Sequence, residues 1–342
     1  MSTPVIICDD SGMARKQMAR SLPEDWDITV NYASGGEQCL DQIRSGHGDI
    51  VFLDLNMPGV DGYGVLQQIR EEELPALVIV VSGDVQPEAR KRVKALGAIE
   101  FIRKPFDDAE LREILQDYGL YTPGNTPPTE PGAGDERAAR AEPDNLDWTD
   151  ALQETANVAM GQAGDLLARL LNVFVELPVP KVNMLAASEL RMALSVTDTR
   201  ESWSGVCQGF VGSGIAGEAL LLFSDSRIDA MSELLGHEAD EETNRDVEVL
   251  MDMSSILVGA FLKGFGQQLD LHFGLSHPTV LGTHVEIDEL LESNSGAWQK
   301  MLAIELHYSI EKHDIRCDLL MLFSEESIEP LRTTFAWLAE PA

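Results

Sequence analysis

The sequence predicts an α/β domain with a parallel sheet, followed by an α+β domain that contains two copies of one unit. Three observations lead to this fold class. Short apolar runs alternate with amphipathic stretches over residues 1–121, the pattern of repeated strand–helix units. A Pro-, Gly- and Ala-rich stretch follows at 122–149. Beyond it, similar residues recur 98 to 100 positions apart, which indicates an internal duplication.

The first domain has five apolar runs and five amphipathic stretches in strict alternation. Continuous short apolar runs are typical of strands in a parallel sheet that helices cover on both faces. The predicted strands are 5–8, 28–32, 50–53, 77–81 and 99–102, and the predicted helices are 14–22, 36–44, 62–71, 86–96 and 108–118. The order is therefore a (βα)5 arrangement.

Reactive side chains follow four of these strands. Asp9 and Asp10 follow the first strand, Asp54 the third, Ser82 the fourth, and Lys104 the fifth. The carboxyl ends of parallel strands share one edge of the sheet, so we expect these groups to converge. Clustered carboxylates without His or Cys suit Mg²⁺. Asp54 is then a candidate nucleophile for a phosphoryl group, with Lys104 and Ser82 placed to hold its oxygens.

The stretches around these residues resemble the receiver domains of two-component response regulators, the CheY-like family. The matching sequences are ICDDS at 7–11, VFLDLNMPGVDG at 51–62, VVSGD at 80–84 and FIRKPF at 101–106. The resemblance covers residues 1–121. It implies a flavodoxin-like fold and phosphorylation of Asp54 by a histidine kinase.

The same resemblance implies roles for further residues of the first domain. Mg²⁺ is bound by Asp9, Asp10, Asp54 and the backbone carbonyl of Asn56. Phe101 matches the aromatic switch position, although an ordinary core aromatic is an alternative interpretation. Two positions tune the lifetime of the phosphoryl group, and they are occupied by Asn56 and Asp84. Ser82 stands where Thr is more common and keeps the hydroxyl.

The predicted linker, 122–149, has 28 residues and few large apolar side chains. As a flexible coil it spans about 30 Å root-mean-square. The second domain then runs over 150–342, with copies at about 150–238 and 246–338. In the first copy the predicted elements are a long helix at 150–171, a strand at 173–182, a helix at 184–194, a hairpin at 202–212 and 215–223, and a helix at 226–235.

The long helix at 150–171 carries two different faces on a helical wheel. Leu152, Ala156, Ala159, Ala163, Leu166 and Leu170 form an apolar stripe that predicts contact with the core. The opposite side carries Asp150, Glu154, Asn157 and Gly161, which the wheel places in solvent. Read alone, this polar row is an ordinary solvated face.

The spacing of Glu154, Asn157 and Pro180 resembles the signature of the CheC/CheX/FliY family of receiver phosphatases, with Asp150 at the preceding acidic position. The resemblance covers about 150–340. It implies that Glu154 and Asn157 are catalytic: Asn157 orients the attacking water, and Glu154 pairs with the conserved lysine of the receiver. The second copy has Asp252 and Ser255 at the equivalent places. Because Ser lacks an amide, we expect that second site to be degenerate.

The charge of the chain excludes several partners. The 342 residues carry 25 basic and 58 acidic side chains, a net charge of −33. Nucleic acid and anionic membranes require a basic footprint, so neither is an expected partner. No uninterrupted apolar run reaches the roughly 18 residues of a membrane span, so no membrane insertion is expected. Four dispersed cysteines and no visible signal peptide favour a cytoplasmic location. The oligomeric state stays open, a homodimer included.

The residues themselves predict a Mg²⁺ site and a repeated domain with an exposed carboxylate–amide face. The two resemblances imply a cytoplasmic response regulator whose output domain hydrolyses receiver aspartyl-phosphate in chemotaxis-type signalling. The expected partners are a histidine kinase and a phosphorylated receiver, in cis or in trans. The alternative is a non-catalytic output, in which phosphorylation controls docking or dimerisation of the repeat domain.

Overall fold

The computed structural model of the chain describes residues 2–124, 148–186, 189, 202–236, 242–285, 300–313 and 315–339. The chain forms two compact units, Met1–Glu154 and Thr155–Ala342. The sequence placed the boundary at 149/150, whereas the units divide after Glu154. Most of the predicted linker and much of the predicted helix at 184–194 lie outside the described residues.

The first unit contains a five-stranded parallel sheet flanked by five helices, which confirms the predicted fold class. Its strands are β1 (Thr3–Cys8), β2 (Ile28–Ala33), β3 (Ile50–Leu53), β4 (Leu77–Ser82) and β5 (Glu100–Arg103). Its helices are α1 (Gly12–Ser21), α2 (Gly36–Arg44), α3 (Gly62–Glu71), α4 (Pro87–Leu96) and α5 (Asp108–Asp117). The strand order is β2-β1-β3-β4-β5.

Two apolar clusters pack on the two faces of this sheet. Successive strand residues point to opposite faces, so Val5 and Ile7 of β1 join one cluster while Ile6 and Cys8 join the other. All four residues are at most 2% exposed. Burial on both faces explains why the strands are continuous apolar runs instead of alternating ones.

In the described part of the second unit, the strands form one eight-stranded sheet, accompanied by helices. Its strands are β6 (Val175–Glu176), β7 (Lys181–Ala186), β8 (Trp203–Gly212), β9 (Ile215–Ser224), β10 (Gly274–Leu275), β11 (Thr279–Val285), β12 (Lys300–Ile310) and β13 (Ile315–Ser324). The helices are α6 (Trp148–Leu171), whose first residues belong to the first unit, then α7 (Ile228–Leu235), α8 (Glu242–Leu269) and α9 (Glu325–Ala339). This mixed arrangement confirms the predicted α+β class.

The two copies exchange strands within this sheet. The hairpins β8–β9 and β12–β13 meet through antiparallel pairing of β9 with β13. The short strands β6 and β7 of the first copy pair with β12 of the second. In the same way β10 and β11 of the second copy pair with β8 of the first. Each copy therefore completes the sheet of the other, and neither copy forms its observed sheet alone.

Two sequence predictions in the first copy need correction. The single strand predicted at 173–182 is two strands, β6 and β7, with a segment containing Pro180 between them. A proline cannot donate a backbone hydrogen bond to a ladder, which favours an interruption there. The predicted helix at 184–194 overlaps the end of β7, since residues 184–186 pair with β12.

Helix α8 contains one segment, Arg245–Leu269, that is long and apolar enough to cross a membrane. It is the only such segment among the described residues, and 61% of an 18-residue apolar stretch within it is buried in the protein. A core helix meets the same criteria of length and composition, so a single segment of this kind is weak support for a span.

Two helical glycines give a matched stability prediction. A Cβ at Gly62 would lie 2.4 Å from the backbone oxygen of Asp54 and 2.8 Å from Cα of Leu55. A Cβ at Gly259 in α8 would meet no described atom within 4 Å. We expect Gly62→Ala to lower the free energy of unfolding by about 1–3 kcal/mol through overpacking. Gly259→Ala should raise it by about 0.5–1 kcal/mol through helix propensity.

Urea unfolding of the two variants, compared with the wild-type chain, measures both effects. Equal shifts of the same sign in the two variants would contradict the packing described for Gly62.

Candidate functional site

The carboxyl edge of the first sheet brings the predicted acidic residues together. Parallel pairing places Cys8 beside Leu53. Asp9 and Asp54, the next residues in the chain, therefore lie at the same level at the ends of neighbouring strands. One oxygen each of Asp9, Asp10 and Asp54 lie within 4.8 Å of one another. Nζ of Lys104 is 2.6 Å from Oδ2 of Asp9 and 3.3 Å from Oδ1 of Asp54. Four predicted site residues therefore share one rim.

The backbone fixes the carboxylates of this rim. Oδ1 of Asp9 accepts a hydrogen bond from the amide of Ser11 at 2.9 Å, and Oδ2 of Asp54 accepts one from the amide of Asn56 at 3.0 Å. The Arg15 guanidinium donates to the backbone oxygens of Asp9 at 2.6 Å and Asp10 at 3.2 Å. These contacts hold the loop that carries the acidic pair.

Arg15 is the functional-site residue that sequence reasoning missed. It is 7% exposed and belongs to α1. Its signal was present, because Arg15, Met18 and Leu22 share the i, i+3, i+7 spacing of a buried helix face. A charged residue on such a face must bind a polar partner, and here the partners are backbone carbonyls.

The remaining predicted receiver residues occupy the surroundings of the rim. Ser82 is fully buried at the end of β4, and its hydroxyl accepts a hydrogen bond from the amide of Asp84 at 3.2 Å. The amide of Lys104 donates to the backbone oxygen of Ser82 at 2.9 Å. Phe101 is half-buried and packs on one of the two sheet clusters. The switch role of Phe101 and the metal role of the Asn56 carbonyl stay predictions.

Burial shapes the charge state of the rim. It raises the pKa of Asp10 to about 7, with repulsion from Asp9 and Glu154 adding to the effect. Burial also raises the pKa of Asp54 well above its usual range, although Lys104 opposes this. The carboxylates of Asp54, Asp9 and Glu154 outweigh burial at Lys104 and hold its pKa well above the usual value. A lysine cation thus faces more carboxylates than it can neutralise.

The start of α6 contributes two more carboxylates to the first unit. Oε1 of Glu154 lies 2.9 Å from Nζ of Lys104, and both side chains are nearly inaccessible to solvent. One turn earlier, Oδ2 of Asp150 accepts a hydrogen bond from the amide of Met13 at 2.9 Å. That amide lies in the first turn of α1, where helix N–H groups lack intrahelical partners. Both carboxylates therefore bind donors beside the acidic rim.

The polar row of α6 is not on a solvent face, which corrects the helical-wheel prediction. Glu154, Asn157 and Gly161 are all buried, whereas Leu166 and Leu170 of the predicted core stripe are 41% and 56% exposed. The wheel assumed a single buried stripe. The segment 151–161 is instead buried nearly all round, polar residues included, and Glu154 is buried in an ion pair with Lys104.

The two copies differ at the predicted catalytic positions. Asn157 is 5% exposed, and its Oδ1 has no hydrogen-bond partner among the described residues. A buried amide oxygen without a partner is energetically costly and is available to a small polar ligand such as water. In the second copy Asp252 and Ser255 are exposed. The Ser255 hydroxyl donates to the backbone oxygen of Met251 at 2.8 Å within its own helix.

Comparison with known proteins identifies the first domain. The family model of the response regulator receiver domain matches residues 5–116, so the N-terminal part of the chain is a receiver domain of a two-component response regulator. Over 104 residues, 30% of the chain, it is 38% identical to a protein-glutamate methylesterase/protein-glutamine glutaminase of Symbiobacterium thermophilum. Over 125 residues, 35% of the chain, it is 34% identical to the sensory/regulatory protein RpfC of Xanthomonas campestris.

These matches are partial. The chain covers 28% of the length of the methylesterase and 17% of that of RpfC. A solved structure of FliY from Thermotoga maritima aligns with 56% of the chain and 98% of its own length, with a TM-score of 0.43 and 14% identity.

The raised pKa of Asp10 predicts how stability varies with pH when divalent metal is removed. Between its ordinary pKa of 3.8 and about 7, the folded protein binds a proton that the unfolded chain has released. The free energy of unfolding therefore falls as pH rises through that window. We expect Asp10→Asn to weaken this dependence of the free energy of unfolding on pH. At pH 7.5 it should raise the melting temperature by about 2–4 °C for each kcal/mol gained in the free energy of unfolding.

Thermal melts in EDTA from pH 4.5 to 7.5 measure this effect. Asp61→Asn is the matched control, because Asp61 is exposed in the segment before α3. This variant should keep the wild-type dependence of melting temperature on pH. An identical pH profile for the wild type and Asp10→Asn would contradict the burial of Asp10.

Proposed function

We propose that the chain is a response regulator phosphorylated on Asp54 and that its output domain is a CheC-like phosphatase, which hydrolyses receiver aspartyl-phosphate. The ion pair between Lys104 and Glu154 carries this proposal. The receiver domain supplies Lys104 beside the phosphoacceptor, and Glu154 is the acid that the phosphatase signature places there. Asn157, one turn later in the same helix, supplies the amide.

The acidic rim fits Mg²⁺. Its donor set of carboxylates without His or Cys is the one that hard cations prefer. Oδ1 of Asp54 is buried and accepts no hydrogen bond from the described residues, although Nζ of Lys104 lies 3.3 Å away, and burial raises the pKa values of Asp10 and Asp54. Asp9, Asp10, Asp54 and the carbonyl of Asn56 would hold the ion. When bound, it neutralises charge on the phosphoryl oxygens and on the carboxylates.

Phosphorylation and hydrolysis then use residues of this chain in distinct roles. A carboxylate oxygen of Asp54 attacks the phosphorus of the donor, a histidine kinase, and the donor keeps the electron pair of the broken bond. In hydrolysis, water oxygen bonds to phosphorus as the bond from phosphorus to the Asp54 oxygen breaks. The carboxylate keeps that electron pair, and the proton lost by water leaves with the phosphate.

The protein contributes mainly position and charge to the hydrolysis. Lys104 and Ser82 are placed to bind phosphoryl oxygens. Glu154 acts as a positioning residue, because it fixes the lysine ammonium. The Asn157 amide can accept a hydrogen bond from water and donate one to a phosphoryl oxygen without placing charge near a dianion. Orientation of a water in this way is a substantial source of rate in phosphoryl transfer.

The test of this function is the lifetime of the phosphoryl group on the full chain. After labelling with acetyl phosphate and removal of excess donor, the wild-type chain should release phosphate at least about tenfold faster than Glu154→Ala, since about 1.4 kcal/mol of transition-state stabilisation gives that factor. Glu176→Ala, an exposed acid of β6, is the control and should behave as wild type. Equal lifetimes for the wild type and Glu154→Ala would rule out the assigned role.

The proposal extends to the setting of the protein. Signalling of a chemotaxis type, a cytoplasmic location and the absence of a nucleic-acid partner follow from the receiver, the phosphatase signature and the strongly acidic composition. The second copy, with Asp252 and Ser255, supplies structure and no second hydrolytic site.

A further inference from the structure

We infer that the phosphatase acts in cis, so that its substrate is the phosphoryl group on Asp54 of the same chain. This inference rests on the proposed function and names its substrate. It is carried by the contacts that Asp150 and Glu154 make with other residues of the first unit.

Two contacts one helical turn apart define a single binding position for the start of α6. Glu154 binds the side chain of Lys104 at 2.9 Å, and Asp150 binds the amide of Met13 at 2.9 Å. Lys104 follows β5, whereas Met13 lies in the first turn of α1. If one carboxylate bound one lysine, the start of α6 could take many orientations. Two carboxylates four residues apart bind a side chain and a backbone amide from different elements. Together they fix one orientation of the start of α6.

The contact between Lys104 and Glu154 is buried, unlike an ordinary surface ion pair, and the contact between Asp150 and Met13 is partly buried. The side chains of Lys104 and Glu154 are 7% and 11% exposed, so the pair is shielded from competing salt. A carboxylate at a helix N-terminus is favoured by the free N–H groups and by the helix dipole. Lys104 also contacts Asp54, so Glu154 is held at the phosphoacceptor of its own chain.

The length of the intervening chain makes this arrangement hard for a second receiver to displace. Residues 125–147, between the described parts, can extend to about 75 Å at 3.3 Å per residue. A covalent tether of this contour length limits the separation of its ends and gives an effective concentration on the order of a millimolar. A separate receiver at micromolar concentration would therefore occupy Glu154 for a fraction on the order of one part in a thousand at equal intrinsic affinity.

In the cis reaction, residues of one chain hydrolyse the acyl phosphate on Asp54 of that same chain. Water oxygen bonds to phosphorus, the bond to the Asp54 oxygen breaks with its electron pair on the carboxylate, and phosphate leaves with the proton from water. The rate constant should not depend on protein concentration.

A mixing experiment with full-length chains tests this inference. Asn157→Ala keeps Asp54 and lacks the amide, whereas Asp54→Asn keeps Glu154 and Asn157 but cannot be phosphorylated. Phosphorylated Asn157→Ala is mixed with up to a hundredfold excess of Asp54→Asn, and the remaining phosphoryl group is followed. We expect its slow decay to change by less than twofold, and we expect the wild-type rate constant to stay constant over a hundredfold dilution.

Acceleration of the decay in proportion to added Asp54→Asn would overturn action in cis and leave the phosphatase itself intact. Failure of the proposed function has a different signature, because the phosphorylated wild type and Asn157→Ala would then decay equally fast without any mixing. Exchange of subunits in a homodimer appears as acceleration by Asp54→Asn and counts against the inference.

Discussion

Asp54→Asn should reduce phosphorylation of the chain by acetyl phosphate and Mg²⁺ to background. Asp54 is 1% exposed, lies at the end of β3, and has its Oδ1 3.3 Å from Nζ of Lys104. An amide at this position cannot form the acyl phosphate, because it lacks a nucleophilic carboxylate oxygen. The substitution is nearly isosteric, so the loss reports chemistry and not unfolding.

This experiment is sharpest in the Asn157→Ala background, where slow hydrolysis should let the label accumulate. Phosphate-affinity electrophoresis and hydroxylamine sensitivity measure the acyl phosphate. Asp61→Asn is the matched control, since it makes the same substitution in the segment between β3 and α3. Asp61 caps α3 by accepting from the amide of Gly64, and Asn caps helices equally well. Label that persists on the Asp54→Asn chain at the wild-type level would show that a residue other than Asp54 is the phosphoacceptor.

The receiver rim could be predicted from the sequence because its geometry follows from strand order alone. Asp9, Asp54 and Lys104 each come directly after a strand, and parallel strands end at a common edge. The local patterns of continuous apolar runs identified those strands. Side chains four or more residues away from a strand end are not covered by this rule. Arg15, which reaches back from α1 to the loop carbonyls, was missed for that reason.

The second unit was less predictable because its pairing is non-local. The duplication was visible as a period near 98 residues, and the two hairpins were correctly expected. No local pattern indicates that β7 pairs with β12, more than 110 residues away, or that β11 pairs with β8. The surroundings of α6 were also unpredictable, because a helical wheel describes one helix and not the elements that cover it. Burial of Glu154 depends on Lys104, 50 residues earlier.

Asn157→Ala should slow release of phosphate from the phosphorylated chain by at least about tenfold, a loss on the order of 1.4 kcal/mol of transition-state stabilisation. The amide is buried, and its oxygen has no partner among the described residues, so it can receive a water. Because the amide oxygen already lacks a partner among the described residues, its removal should cost little folding stability. Slower hydrolysis with an unchanged urea midpoint is therefore the expected pair of results.

Two further variants separate catalysis from packing and from docking. Ser255→Ala changes the equivalent position of the second copy, where the hydroxyl is bonded to the Met251 carbonyl, and it should leave phosphate release unchanged. Asn157→Asp keeps the shape but places a carboxylate beside a phosphoryl dianion, so an enzyme loses activity while a non-catalytic docking surface tolerates the change. A silent Asn157→Ala together with a severe Ser255→Ala would assign hydrolysis to the second copy. Normal phosphate release from Asn157→Asp would instead favour docking, because only the enzyme requires an uncharged amide at that position.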